Sequence, residues 1–192
     1  MILQKSFTQY EEPAEAIRNL ILVQRRDEML HRVKDYRFRD WKDIKHDPDV
    51  INGRLLHNRV GYTMEDQLPV VLGLRGDPWL GPLEEELLEK IPKEGMSRME
   101  LFDGYPKGKE NAHIQRSLKS ALSNLERQLI IGKKYIELPN RKRSLAVFHR
   151  IQDRVKPMKF DEAVKTLIER IGPVRLHTLR FFVSRPVEEL AE

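Results

Sequence analysis

Three groups of basic and hydrogen-bonding side chains crowd the second half of this chain. Lys107 and Lys109 flank a glycine. His113, Gln115, Arg116, Lys119, Ser120, Ser123 and Arg127 follow at intervals of one to four residues. Arg141, Lys142 and Arg143 form an unbroken run. Lys and Arg grip phosphates, Arg and Gln present paired groups that match base edges, and Ser and His add single hydrogen bonds. Between Lys107 and Arg150 stand eleven Lys or Arg against three acids (Glu110, Glu126, Glu137), net +8. The whole 192-residue chain is net +5, so everything outside that segment is net −3. One segment thus holds the basic surplus, as a phosphate-binding surface does. A basic helix face is often only solvated; three basic groups in one segment favour a nucleic acid, duplex DNA first.

These groups need elements to hold them. Ile114, Leu118, Ala121, Leu122, Leu125 and Leu129 have helical spacing, which predicts a long helix capped at Asn111 and stopped by Gly132. The polar row then lies on the face away from the leucines. Before it, Leu83, Leu87, Leu88 and Ile91 predict a helix from Pro82 to Ile91, with Glu84 to Glu86 in its first turn. Ser97-Arg98-Met99-Glu100 is a capping box that opens a short helix to about Phe102. After the long helix, Tyr135 to Leu138 and Leu145 to Phe148 read as strands. They flank the basic, turn-rich run Pro139 to Ser144. Helix, short helix, long helix and basic hairpin within about 70 residues is the winged-helix plan, in which the second helix of the helix-turn-helix enters the major groove.

The flanks are less regular. Glu11-Glu12-Pro13 opens a helix whose buried face is drawn from Ile17, Leu20, Ile21, Leu30 and Val33. Residues 34–54 are dense in charge, and His46-Asp47-Pro48-Asp49 and Asn52-Gly53 read as turns. Thr63-Met64-Glu65-Asp66 reads as a helix N-terminus capped by Thr63, with Pro69 limiting or kinking the helix. The breaker cluster Gly76 to Pro82 marks a boundary. Residues 161–171 and 174–183 predict two more helices, stopped and started around Gly172-Pro173. This C-terminal segment is either a helical cap on the central unit or a third winged helix that stops early.

Several chemistries are disfavoured. The chain has no cysteine, and its six histidines show no metal-ligand spacing, so neither metal nor cofactor is expected. There is no Gly-rich phosphate loop and no nucleophile elbow. Asp40, Asp43, Asp47 and Asp49 could form a nuclease's acidic core, but at this charge density they read as a solvated face. Trp41 and Trp79 read as core anchors rather than base-stacking platforms. With no signal peptide and no apolar run of membrane-spanning length, a soluble, cytoplasmic protein without membrane contact is expected.

Thr63-Met64-Glu65-Asp66-Gln67-Leu68, the stretch Leu87 to Phe102, and Ile171-Gly172-Pro173-Val174 before a short helix together carry a resemblance. Over residues 55–185 the chain resembles the winged-helix DNA glycosylases that excise alkylated bases and unhook crosslinks. The resemblance implies tandem winged helices, DNA as partner, and repair of damaged bases. That family uses an early Gln-apolar-Gln or Gln-apolar-Asp triplet to place a water at the sugar. The nearest counterpart here is Gln24-Arg25-Arg26-Asp27, so the resemblance implies Gln24, with Asp27, as the catalytic pair. This run is one residue longer than the triplet and carries arginines where the apolar residue belongs.

The expected fold is therefore mainly α with small β-hairpins (α+β), arranged as tandem winged helix-turn-helix modules. An N-terminal region is expected over 1–80, a central winged helix over 81–157 and a C-terminal helical segment over 158–192. The expected function is binding of double-stranded DNA, in a repair setting. A monofunctional glycosylase and a winged-helix transcription regulator are the alternatives.

Overall fold

A computed structural model describes residues 9–24, 32–37, 44, 46–56, 59–138, 144–172 and 182–183. In chain order the elements are α1 (Pro13–Leu20), β1 (Val23–Gln24), β2 (Val50–Leu56), β3 (Arg59–Met64), a 3-10 turn (Glu65–Gln67) and α2 (Leu68–Arg75). Then come α3 (Pro82–Lys90), β4 (Met96–Ser97), α4 (Arg98–Leu101), α5 (Ala112–Arg127), β5 (Ile131–Ile136), β6 (Leu145–Arg150) and α6 (Phe160–Ile171). The chain is α+β. Among the described residues no helix is long and apolar enough to cross a membrane.

The central elements form from local signals. Pro82 starts α3, where its missing N–H costs nothing. At Ser97 both halves of the capping box are made: Glu100 N–H donates to Ser97 Oγ at 3.3 Å, and Ser97 N–H donates to Glu100 Oε2 at 2.9 Å. Leu118, Leu122 and Leu125 bury one face of α5 against Leu87 of α3, Ile91 just beyond it and Phe148 of β6. Each fully buried leucine contributes about 2 kcal/mol of apolar transfer. Arg150 closes the unit from beneath, donating to the carbonyls of Leu88, Glu89 and Ile91 at the end of α3.

The strands are not separate hairpins. They form one six-stranded sheet, ordered β1-β3-β2-β5-β6-β4, with every neighbouring pair antiparallel. Asn52 of β2 stands opposite Lys133 of β5, which splices the N-terminal hairpin onto the central one.

Several local expectations change. The first helix ends at Leu20 because Ile21 takes φ 65°; the apolar run after it then pairs as β1, Val23 opposite Tyr62 and Gln24 opposite Gly61. Val33 is therefore off that helix and bridges Tyr10. Asn52-Gly53 is not a turn but the middle of β2, since partners on both sides claim its backbone. Thr63 caps nothing: it is fully buried in β3, and Pro69 initiates α2 rather than limiting it. Gly132 does not stop α5. Leu129, at φ 54°, turns the chain, and Gly132 lies inside β5. The C-terminal helix α6 packs chiefly on α2 and α1. Residues 173–181, where a further helix was expected, lie outside the described residues, as do Leu30, Asp40, Trp41 and Asp43.

Candidate nucleic-acid interface

On α5 the polar row emerges as spaced. His113, Arg116, Lys119 and Ser120 are exposed, opposite the buried Leu118, Ala121, Leu122 and Leu125. Ser123 and Arg127 continue the row half-buried. Arg127 is drawn sideways: its Nη2 donates to Asn124 Oδ1, and Asn124 Nδ2 donates to Glu84 Oε1 at 2.9 Å. That chain of bonds stitches the α3–α5 seam and leaves Arg116 and Lys119 as the outward cations of the helix.

The turn before α5 is braced from two sides. Gln115 does not point at solvent but donates from Nε2 to the Pro106 carbonyl at 2.8 Å. Tyr105 Oη donates to Glu86 at 2.6 Å and accepts from Lys90 at 2.8 Å, fastening the turn to α3. The hydrogen bond from Tyr105, then that from Lys90, holds the Glu86 carboxyl below its ordinary range. Desolvation raises the Tyr105 phenol, and Glu86 adds to that shift. Asn111 stands at the N-terminus of α5 but makes no side-chain cap; its Nδ2 donates to the Lys107 carbonyl at 3.0 Å. Gly108, at φ 110°, lets the turn carry the exposed Lys107 and Lys109 outward. Lys107 is ion-paired to Asp103 at 2.9 Å, and its hydrogen bond holds the Asp103 carboxyl low.

Among the described cations of this segment, Lys133, Lys134 and Arg150 face inward. Lys133 pairs with Glu126 of α5 at 3.0 Å, both largely buried. Lys134, on the opposite face of β5, pairs with Glu65 at 3.1 Å. Arg150 donates to the carbonyls of Leu88 and Ile91 and pairs with Asp153 at 3.4 Å. At the foot of the hairpin, His46 Nε2 lies 3.3 Å from Glu137 Oε1 and 3.2 Å from Ser144 Oγ. Arg141, Lys142 and Arg143 lie outside the described residues.

Gln24 sits on β1, an edge strand, with β3 and β2 between it and β5. At about 4.8 Å per strand, that places it roughly 14 Å across the sheet from the central hairpin. Asp27 lies outside the described residues. Among the described residues no three His, Asp or Glu side chains gather as a metal site requires.

Trp79 was expected in the core, yet it is 77% exposed. Its polar backbone atoms, not its ring, are what the protein holds. The amides of Asn124 and Gln128, four residues apart on one flank of α5, were the readable sign of that seam.

The fold has a solved counterpart. It is similar to that of Streptomyces sahachiroi DNA glycosylase AlkZ, with a TM-score of 0.60 at 18% sequence identity over 93% of this chain. This chain spans 56% of that one. No family model and no curated protein matches the sequence.

Proposed function

We propose that this chain binds double-stranded DNA through a winged-helix unit over residues 81–157, with α5 as the recognition helix. The observation that carries the reading is the outward row on α5, His113, Arg116, Lys119 and Ser120, set on a helix whose other face is locked into the core. Lys107 and Lys109 meet phosphate at the helix start. Arg141, Lys142 and Arg143, which follow β5 in the sequence, supply further charge. The regions on either side extend the footprint as further winged-helix elements, and the likeness in fold to a DNA glycosylase supports a repair setting.

The test is duplex affinity as a function of salt. Binding at about 50 mM salt should weaken steeply as salt rises. Arg116→Ala and Lys119→Ala should each weaken it, and each should lower the salt slope by about 0.9 where the side chain meets one phosphate. Affinity that ignores salt, or variants that bind as the parent does, would refute the assignment of this face.

A second reading is base excision on the same scaffold, favoured by that likeness in fold and by a glutamine at position 24. A flipped, damaged base is already weakly paired, so one polar side chain and one water could suffice. Release of an alkylated base that disappears in Gln24→Ala would establish it; no release by the intact chain would leave a binding protein.

A further inference from the structure

Among the described residues Trp79 is the most exposed large apolar side chain, at 77%. A tryptophan left that bare forgoes the burial that usually accounts for its size. Its backbone is nevertheless held. Trp79 N–H donates to Gln128 Oε1 at 2.7 Å, and Gln128 Nε2 donates to the Trp79 carbonyl at 2.7 Å. Pro78 and Pro82 restrict the chain on either side. The indole therefore stands outward on a fixed base.

The cationic row lies elsewhere. Gln128 is nine residues beyond Lys119, half a turn round the helix, on the flank that faces α3. Residues 77–94 carry Asp77, Glu84, Glu85, Glu86, Glu89 and Glu94 against Lys90 and Lys93, net −4. One of these carboxylates reaches the indole. Measured from where a Cβ would stand on Gly81, Glu84 Oε2 lies at 2.9 Å and Trp79 Cη2 at 3.7 Å, so carboxylate and ring edge converge over that glycine. Glu84 Oε1 accepts from Asn124 Nδ2 at 2.9 Å, which fixes the carboxylate. Arg127 donates to the Oδ1 of that same amide rather than to Glu84, and Lys90 is paired with Glu86. Among the described residues Glu84 is in no ion pair.

An exposed indole beside a fixed carboxylate suits a cationic side chain. The ring face attracts positive charge, and tryptophan does so best of the aromatic residues. Arginine fits better than lysine, because its flat guanidinium stacks on the ring while its edge N–H groups donate to a carboxylate. Phosphate is repelled here, and an apolar partner would desolvate carboxylates that it cannot pair. We infer that Trp79 and Glu84 form a docking site for an arginine on a basic segment of a partner protein, with the exposed Asp77 and Glu85 attracting that segment's other cations. This site is separate from the DNA-binding face and does not depend on it.

The experiment titrates the full chain into a fluorescein-labelled hexa-arginine peptide at low salt, read by anisotropy. Trp79→Ala, Trp79→Phe, Glu84→Gln and Glu89→Gln are compared with the parent, each checked by far-UV circular dichroism. Glu84→Gln keeps an oxygen for Asn124 and places an amide N–H where Oε2 stood, so the seam survives and the charge goes. Glu89→Gln removes an equal charge five residues further along α3. Trp79→Ala and Glu84→Gln should each weaken binding about five-fold, and Trp79→Phe by less. Glu89→Gln should weaken it by less than about two-fold. Hexa-lysine should bind the parent more weakly than hexa-arginine does. Parent-like binding by Trp79→Ala overturns the assignment, as does a loss in Glu89→Gln equal to that in Glu84→Gln, which would reduce the site to diffuse acidity. Self-association of the parent in sedimentation that disappears in Trp79→Ala also overturns it, by giving the indole to a second copy of the chain. A parent that binds no hexa-arginine at low salt overturns it outright and leaves the DNA reading untouched.

Discussion

At the scale of single residues, the direction in which each charge is spent decides its role. Composition counts Lys133, Lys134 and Arg150 toward the basic surplus, but alternation along β5 sends the two lysines to opposite faces, each to its own glutamate. Arg150 donates to the Leu88 and Glu89 carbonyls in the last turn of α3. The basic segment was legible in the sequence; which of its charges reach solvent was not, because that depends on partners distant in the chain. Ser97 shows the opposite case, since its capping box is local and was readable in four residues. Replacing it with alanine should cost about 1 kcal/mol, read as a lower urea midpoint at pH 7. The hydrogen bonds from Ser97 hold the Glu100 carboxyl below its ordinary 4.5. A depressed carboxylate stabilises the fold above its unfolded value and loses that contribution as pH falls through the folded one. The gap between parent and Ser97→Ala should therefore narrow below pH 4.5. A gap that stayed constant into acid would mean that the Ser97–Glu100 bond contributes nothing.

At the scale of elements, α3, α4, α5 and α6 were readable because each carries one strong local signal: Pro82 starts α3, the Ser97 box opens α4, leucine spacing marks α5, and Gly172 ends α6. The β1–β3 region was not. Asn52-Gly53 has turn chemistry, and only pairing to Tyr62-Gly61 on one side and Lys133 on the other overrides it. Helix packing brings a sharper test at Gly73, inside α2. A glycine there should be a weakness, and Gly→Ala in an exposed helix usually gains about 0.5–1 kcal/mol. Here a Cβ would lie 2.5 Å from the Met158 carbonyl oxygen and 2.9 Å from Ala163 Cβ on α6. The loop before α6 is fixed to α2 by Met158 N–H donating to the Pro69 carbonyl at 2.8 Å, so that oxygen is not free to retreat. Gly73→Ala should thus destabilise, by about 1–3 kcal/mol, through overpacking. A raised melting temperature would show that α2 and α6 approach less closely than this.

At the scale of the whole molecule, the sheet decides whether the N-terminal and central regions behave as one body. The boundary expected near residue 81 rests on a strong breaker cluster, but breakers mark where the chain turns, not where cooperation ends. Three contacts cross the seam from β5: the Asn52–Lys133 strand pair, the Lys134–Glu65 ion pair, and Gly132 set close against Ile51. His46 adds a fourth at the hairpin foot. The three apolar clusters are likewise joined through neighbouring sheet residues: Ile51 belongs to one, Val50 to another, and Ile131 to the third. Unfolding should then be a single transition, with far-UV circular dichroism and tryptophan fluorescence tracing the same curve. Gly132 is where this can be broken, because a Cβ there would sit 2.7 Å from Ile151 Cδ1 and 3.3 Å from Ile51 Cγ2. Gly132→Val should wedge β2 from β5 and split the two curves, while the capping box, α5 and the basic row keep their own packing. If that variant instead lowers one shared midpoint, the seam is as strong as either region. The basic helix α5 and the strand that carries Gln24 would then be rigidly linked, so that a ligand seated on one would set the position of the other.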